Sequence, residues 1–248
     1  MIRFENVTLI LSDRKVLDGV SFQIDTGELI LLVGGSGSGK STILKLILGL
    51  ICPNSGQIFL DDQRISSMPE SKLLKIRRNF GIVFQEGALF DSLTVEENVG
   101  FFLKENLHLP EEEVYRKVVD ELKFLGLDGF LNFYPSQLSG GMKKRVAVAR
   151  ASISNPKVML YDEPTAGLDP IAAQRVVDLI SELHQQLNIT SVVVTHEIHY
   201  FLKTVKRLLM LKDGKIVYDG EPVADIHEWY GDPHFSESNI AVQKKTME

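Results

Sequence analysis

The sequence predicts an α/β domain on a mostly parallel sheet, with an N-terminal antiparallel β layer and an inserted α-helical subdomain, and three observations carry that prediction. The run from Glu28 to Val33 ends in glycines and reads as a strand buried on both faces, as parallel sheets require. Helical periodicity takes over between about residues 86 and 155. After Pro156, strand and helix patterns alternate again, with Val158 to Tyr161 and Ser191 to Thr195 as apolar strands. With 248 residues, 44% of them apolar and 24% charged, the chain has material for one domain with a large core.

Each element has a local reason. Residues 1 to 27 read as short strands and turns, with Val16 to Phe22 apolar around Asp18-Gly19. Ile43, Leu44, Ile47 and Leu48 recur at helical spacing, and Gly49 and Pro53 close that segment. Residues 57 to 60 and 80 to 84 read as further strands. Thr94-Val95-Glu96-Glu97 has the form of a capping box, in which a hydroxyl and a carboxylate each take up an amide left free at a helix start. Pro110 opens the next helix, and Glu111, Glu112 and Glu113 suit the positive end of its dipole. Its apolar stripe is Val114, Val118, Leu122 and Leu125, and Gly126 ends it. Asp213-Gly214, between Leu208 to Leu211 and Ile216 to Tyr218, predicts a tight hairpin. The expected organisation is one domain over residues 1–230, with the helical subdomain at about 86–155, and a flexible tail over 231–248 that Trp229 and Tyr230 precede as anchors.

Composition narrows the function classes. A formal net charge of −6 argues against wrapping nucleic acid. The single cysteine, Cys52, excludes an intrachain disulfide or a cysteine metal cluster; at an apolar helix end it is expected to pack. The first residues lack the apolar run of a secretory signal, and no window approaches the ~20 apolar residues of a membrane span. Work at a membrane is therefore expected to run through a partner.

Chemistry enters at Gly34-Gly35-Ser36-Gly37-Ser38-Gly39-Lys40-Ser41-Thr42, which satisfies the P-loop pattern after a buried strand and before a helix. Glycines let backbone amides converge on phosphate oxygens, and the helix N-terminus behind them adds positive potential. Lys40 suits the β and γ phosphates, and the Ser41 hydroxyl suits magnesium. Asp162 and Glu163 follow an apolar strand at its C-terminal end, where open α/β sheets bind ligands. Asp162 suits the magnesium shell and Glu163 the attacking water. Ser139-Gly140-Gly141 opens a helix whose residues Met142, Val146, Ala149 and Ile153 share a face, making a second anion site. One nucleotide has one γ-phosphate, so a second phosphate-binding helix end implies a second copy of the chain, paired head to tail.

These motifs together resemble the ABC ATPase family over residues 1 to about 225. Gly34 to Thr42 resembles its Walker A, Leu160 to Glu163 the end of its Walker B, and Leu138 to Met142 its signature motif. Phe84-Gln85 is similar to the Q-loop, Ala166-Gly167-Leu168-Asp169 to the D-loop and Thr195-His196 to the H-loop. The resemblance implies a P-loop NTPase core, ATP and Mg2+ as ligands, and an ATP-dependent homodimer that drives a membrane permease. It implies Gln85 as a metal and water contact, His196 as a γ-phosphate partner, and Met142 and Asp169 as contacts across the dimer, beside the catalytic Glu163 and Lys40.

Two positions depart from the family pattern. Met142 stands where glutamine is usual, which leaves the phosphate-binding amides in place. Leu11 stands nearest the usual base-stacking aromatic, leaving Val16 as an apolar contact for the base. The expected result is weak discrimination between ATP and GTP, measured by comparing the rates at which the chain hydrolyses the two. The stretch Phe84 to Val95 is most similar to the Mla-type ATPases of MCE-protein lipid transporters. That similarity implies a phospholipid permease, an MCE protein and a small regulatory subunit as partners, at the cytoplasmic face of the inner membrane. A cell-division ABC complex or a different small-solute transporter is the alternative. A P-loop kinase, by contrast, lacks the second phosphate helix.

Overall fold

In the computed structural model, which describes residues 1–223, the chain begins β1 (Ile2–Leu11), β2 (Arg14–Ile24), β3 (Leu29–Val33), α1 (Lys40–Ile47), β4 (Ser55–Leu60), β5 (Gln63–Arg64) and α2 (Glu70–Arg77). It continues with β6 (Phe80–Val83), α3 (Val95–Glu105), α4 (Glu111–Phe124), α5 (Gly140–Ser152), β7 (Val158–Asp162), α6 (Pro170–Leu187), β8 (Thr190–Thr195), β9 (Arg207–Lys212) and β10 (Lys215–Gly220). Two compact units result: Met1–Leu73 with the residues from Val192 onward, and Leu74–Ser191. The second contains the expected helical stretch 86–155. Residues 224 to 230 of the expected domain, the anchors Trp229 and Tyr230, and the expected tail lie outside the described residues.

In the first unit β1 and β2 form one long hairpin rather than the short strands and turns the sequence suggested. Its turn is Ser12-Asp13, both with positive φ (47° and 63°), the pair of left-handed residues whose twist matches the strands. Asp18-Gly19 is not a turn. The strand runs through it, and Gly19, with a φ of 64°, sits where the register shifts between Val7 and Leu9, so a bulge takes up the irregularity. β4 pairs along the other side of β1, giving an antiparallel layer in the order β2-β1-β4-β5. Ile2, Phe4, Val7 and Leu9 bury one face of it, with Phe4 stacked on Phe22 at 4.5 Å between ring centroids.

β3 lies parallel to β9, and all five of its residues are buried, which is why its sequence shows no alternation. β9 and β10 close through the expected Asp213-Gly214 turn. Arg207 clamps this hairpin, donating to both carboxylate oxygens of Asp219 at 2.6 and 2.8 Å and to Glu28 at 3.1 Å. α1 ends in a Schellman pattern: left-handed Gly49 donates to Leu46 O and Leu50 to Lys45 O. Because the helix stops there, Cys52 falls in the loop beyond its final turn and is exposed, contrary to the expected packing role.

In the second unit β6 runs parallel to β7, and the capping box at Thr94 forms as expected, with Glu97 N donating to Thr94 Oγ1 and Thr94 N to Glu97 Oε2. Buried Asn98 organises the loop before α3: its amide donates to the carbonyls of Phe90, Leu93 and Thr94 and accepts from Phe90 N. The stripe of α4 is buried as expected. α5 is not amphipathic in the expected way. Val146, Ala149 and Ile153 are buried, but so are Ala147, Val148, Ala151 and Lys144, so the helix is enclosed on more than one side.

Glu121 of α4 is half-buried and hydrogen-bonded to Ser152 of α5. Burial raises its pKa, against the opposing effect of the Ser152 bond. The folded state therefore holds the proton more tightly than the unfolded state, and this group's contribution to stability falls as pH rises from the ordinary carboxylate range through the raised value. The Glu121→Gln variant is expected to melt at a higher temperature than the parent at pH 8 and at a similar one near pH 4. Equal melting shifts at both pH values would count against this. Among the described residues no helix is long and apolar enough to cross a membrane.

Candidate functional site

The first unit carries the P-loop. β3 delivers Gly34 into a turn so close to its neighbours that a Cβ there would lie 2.4 Å from Leu211 O and 2.6 Å from Ser38 Oγ, so only glycine fits. Gly39 stands at the N-cap of α1 with a φ of 108°, a conformation that side chains rarely adopt. Lys40 begins the helix, buried, and its ammonium folds back to donate to Gly34 O at 2.8 Å and Gly35 O at 3.2 Å. Ser41 and Thr42 follow in the first turn. Beside the loop lies a cavity of about 370 Å³, lined by Arg14, Lys15, Val16, Gly35 to Ser38 and Leu211 to Gly214. Val16 thus lines the cavity beside the P-loop, whereas Leu11 is exposed and does not line it. His196 follows β8 and is exposed, and Glu197 N turns back onto Thr195 Oγ1.

A phosphate chain fits this cradle. Glycine is required where backbone approaches most closely, the helix N-terminus supplies positive potential, and the buried Ser38 hydroxyl has no hydrogen-bond partner among the described residues. Among the described residues no group of three or more His, Cys, Asp and Glu side chains is arranged to hold a metal. Magnesium is usually held by one or two protein ligands together with substrate phosphates, and in this unit the Ser41 hydroxyl stands in the first turn of α1, directly after Lys40.

The second unit carries the other expected residues. Asp162 ends β7, half-buried, and Glu163 follows it, 7% exposed and with a φ of 49°. Gln85 lies exposed in the turn after β6. Ser139 caps α5, accepting from Met142 N at 3.3 Å. Asp169 caps α6, one carboxylate oxygen accepting from Ile171 N and Ala172 N at 3.0 Å each. These two caps border one cavity of about 260 Å³, lined by Ser139, Gly141, Met142, Arg145, Asp169, Ile171, Ala172 and Arg175. The signature and D-loop residues are therefore neighbours. Gly140 lies close to Leu168, its would-be Cβ 3.3 Å from a Leu168 methyl.

The electrostatics of this second cavity suit an anion. Burial, and then the neighbouring Arg175, lower the Arg145 pKa, as two cations crowding one place should. Arg145 also holds the end of α4, donating to Leu125 O at 3.0 Å.

Sequence reasoning missed Lys144. The sequence reading gave it no role, yet its ammonium is buried and donates to the carbonyls of Gln85 and Glu163. A signal was present: Lys144 is in helical phase with Ala147, Val148 and Ala151, an apolar stripe that a surface lysine would not share. Arg150 was missed as well; it donates to Gly87 O at 2.8 Å and Ala88 O at 2.7 Å.

A family model described as ABC transporter matches residues 17–166. The chain is similar to protein TRIGALACTOSYLDIACYLGLYCEROL 3, chloroplastic, of Arabidopsis thaliana, 43% identical over 236 residues, covering 89% of this chain and 68% of that protein. It is 37% identical over 220 residues to the intermembrane phospholipid transport system ATP-binding protein MlaF of Haemophilus influenzae, covering 89% of this chain and 83% of that one. Similarity extends to the methionine import ATP-binding protein MetN of Carboxydothermus hydrogenoformans, 39% identical over 206 residues, with 83% and 61% covered. Among solved structures, the dimeric post-hydrolysis state of the ATP-binding cassette MJ0796 bound to ADP and Pi superposes with a TM-score of 0.81 at 34% identity, covering 90% of this chain and all of that one.

Proposed function

The chain belongs to the ABC transporter family as an ATP-binding subunit that hydrolyses ATP with Mg2+, and from that premise we propose that it drives a membrane permease for phospholipid. The observation that carries the phospholipid reading is the similarity to a phospholipid transport ATP-binding protein over 83% of that protein's length. The Phe84 to Val95 stretch, in the region after β6, supports the same reading. In this proposal an MCE protein and a small regulatory subunit complete the assembly, and the chain sits at the cytoplasmic face of the inner membrane, held there by the permease.

The site residues then take the following roles. Gly34 to Thr42 hold the phosphates of ATP, with Lys40 on the β and γ phosphates and Val16 against the base. Ser41, Asp162 and Gln85 would hold magnesium, which when bound neutralises charge developing on the phosphates. Glu163 orients the attacking water, and His196 contacts the γ-phosphate. Ser139, Gly140, Gly141, Met142 and Asp169 of a second copy close over the same nucleotide. Hydrolysis then removes contacts on both sides of the interface at once, which is how the chemical step becomes movement in a partner.

Similarity to a methionine import ATP-binding protein favours a second reading, a small-solute importer. Purification of the chain with its membrane partners, followed by identification of the permease and of any bound lipid, separates the two. An MCE-type partner with phospholipid supports the first; an amino-acid permease without lipid sinks it.

A further inference from the structure

Lys144 behaves unlike the two basic residues beside it. It is 5% exposed, and a cation drawn that far from water is tolerated only with acceptors in place. Two of those acceptors are backbone carbonyls: Gln85 O, and Glu163 O at 3.1 Å. They belong to the two residues of this unit that the proposed reaction places nearest the attacking water.

Glu163 gives this bridge its importance. Its φ of 49° lies in the left-handed region, which residues bearing a side chain avoid and hold only where their surroundings require it. The Glu163 carbonyl accepts from Lys144 and, at 3.3 Å, from Ala166 N. Both bonds orient the peptide unit that follows Glu163. The same helix fastens the far side of the Gln85 turn, where Arg150 donates to the carbonyls of Gly87 and Ala88. α5 therefore carries Ser139 at its start, Lys144 at its second turn and Arg150 near its end, so the signature residue and two anchors of the Gln85 turn share one rigid element.

We infer that Lys144 is a positioning residue for hydrolysis: one ammonium ties the backbones of Gln85 and Glu163 to the signature helix, so that engagement of Ser139 sets where the Glu163 carboxylate stands. This inference rests on the ATPase reading of the site. Lys144 makes no contact with the reacting atoms in this account. Its effect is on the placement of Glu163, and a displacement of about 1 Å at such a group is enough for a hundredfold change in rate.

The test uses the full chain. Lys144→Met keeps the length of the side chain and removes its donors. Its kcat is expected to fall by at least about tenfold while the Kd for ATP stays within about twofold of the parent, because the P-loop is untouched. Lys144→Arg, which keeps charge and donors, is expected to recover most of the loss. A folded Lys144→Met with the parent's kcat overturns the inference, as does a fall in kcat matched by an equal weakening of ATP binding. Should Lys144→Met fail to fold, Lys144→Ala, which also removes the donors and suits a helix interior, carries the same comparison: reduced kcat at unchanged Kd supports positioning, and parental kcat refutes it. An unsubstituted chain that binds ATP and never hydrolyses it, with or without its membrane partners, counts against the ATPase reading instead.

Discussion

Glu163→Gln is expected to lower ATP turnover by at least about a hundredfold while leaving ATP binding intact, since a positioned general base contributes about 10²–10⁴ in rate. The substitution preserves shape and leaves the backbone bond from Lys144 to the residue's carbonyl in place, so the left-handed conformation is retained. What is removed is the charge that polarises water. Because the nucleotide then persists, two copies held together by ATP should stay together, and size-exclusion chromatography with ATP and Mg2+ is expected to show a lasting dimer where the parent shows a transient one. A Glu163→Gln chain that hydrolyses near the parental rate would remove Glu163 from the role assigned to it.

The second large effect concerns which copy supplies which half of the site. Lys40→Ala removes the ammonium that serves the phosphates. Ser139→Asp keeps a good helix cap, since aspartate caps as well as serine, but places a negative charge where a γ-phosphate is expected. Each variant alone is expected to lose turnover by about a hundredfold or more, as removal of a single transition-state donor commonly does. Mixed in equal amounts, the two should recover activity. In a head-to-tail pair one composite site then contains both lesions and the other contains neither. If each chain instead built its site from its own Lys40 and Ser139, every site in the mixture would carry a lesion and the mixture would stay inactive. Recovery on mixing, measured as phosphate release against the same total protein, therefore decides between a shared site and a self-contained one.

Much of this protein is legible in one dimension because its chemistry is local. The Gly34 to Thr42 motif, the capping box at Thr94, the Asp213-Gly214 turn and the buried strand at Leu29–Val33 each depend on residues within about ten positions of one another, and the structure forms all four as local physics requires. The clustering of Ser139 and Asp169 around one cavity also agrees with the motif order, although thirty residues separate them along the chain.

What only the tertiary structure decided is the fate of side chains whose partners are distant in sequence. Residues 1 to 27 looked like short strands and turns, but pairing with β1 carries one strand through Asp18-Gly19 and turns Gly19 into a bulge. Cys52 looked like packing, but the helix ends before it and leaves it exposed. Lys144 was given no role from the sequence; its burial follows from the enclosure of α5, and its bonds to Gln85 and Glu163 reach 59 and 19 residues away. Composition and spacing report which groups are available and which backbone conformations are cheap. Whether a charge is solvated or spent on a buried carbonyl depends on what the rest of the chain brings against it, and that is a property of the fold.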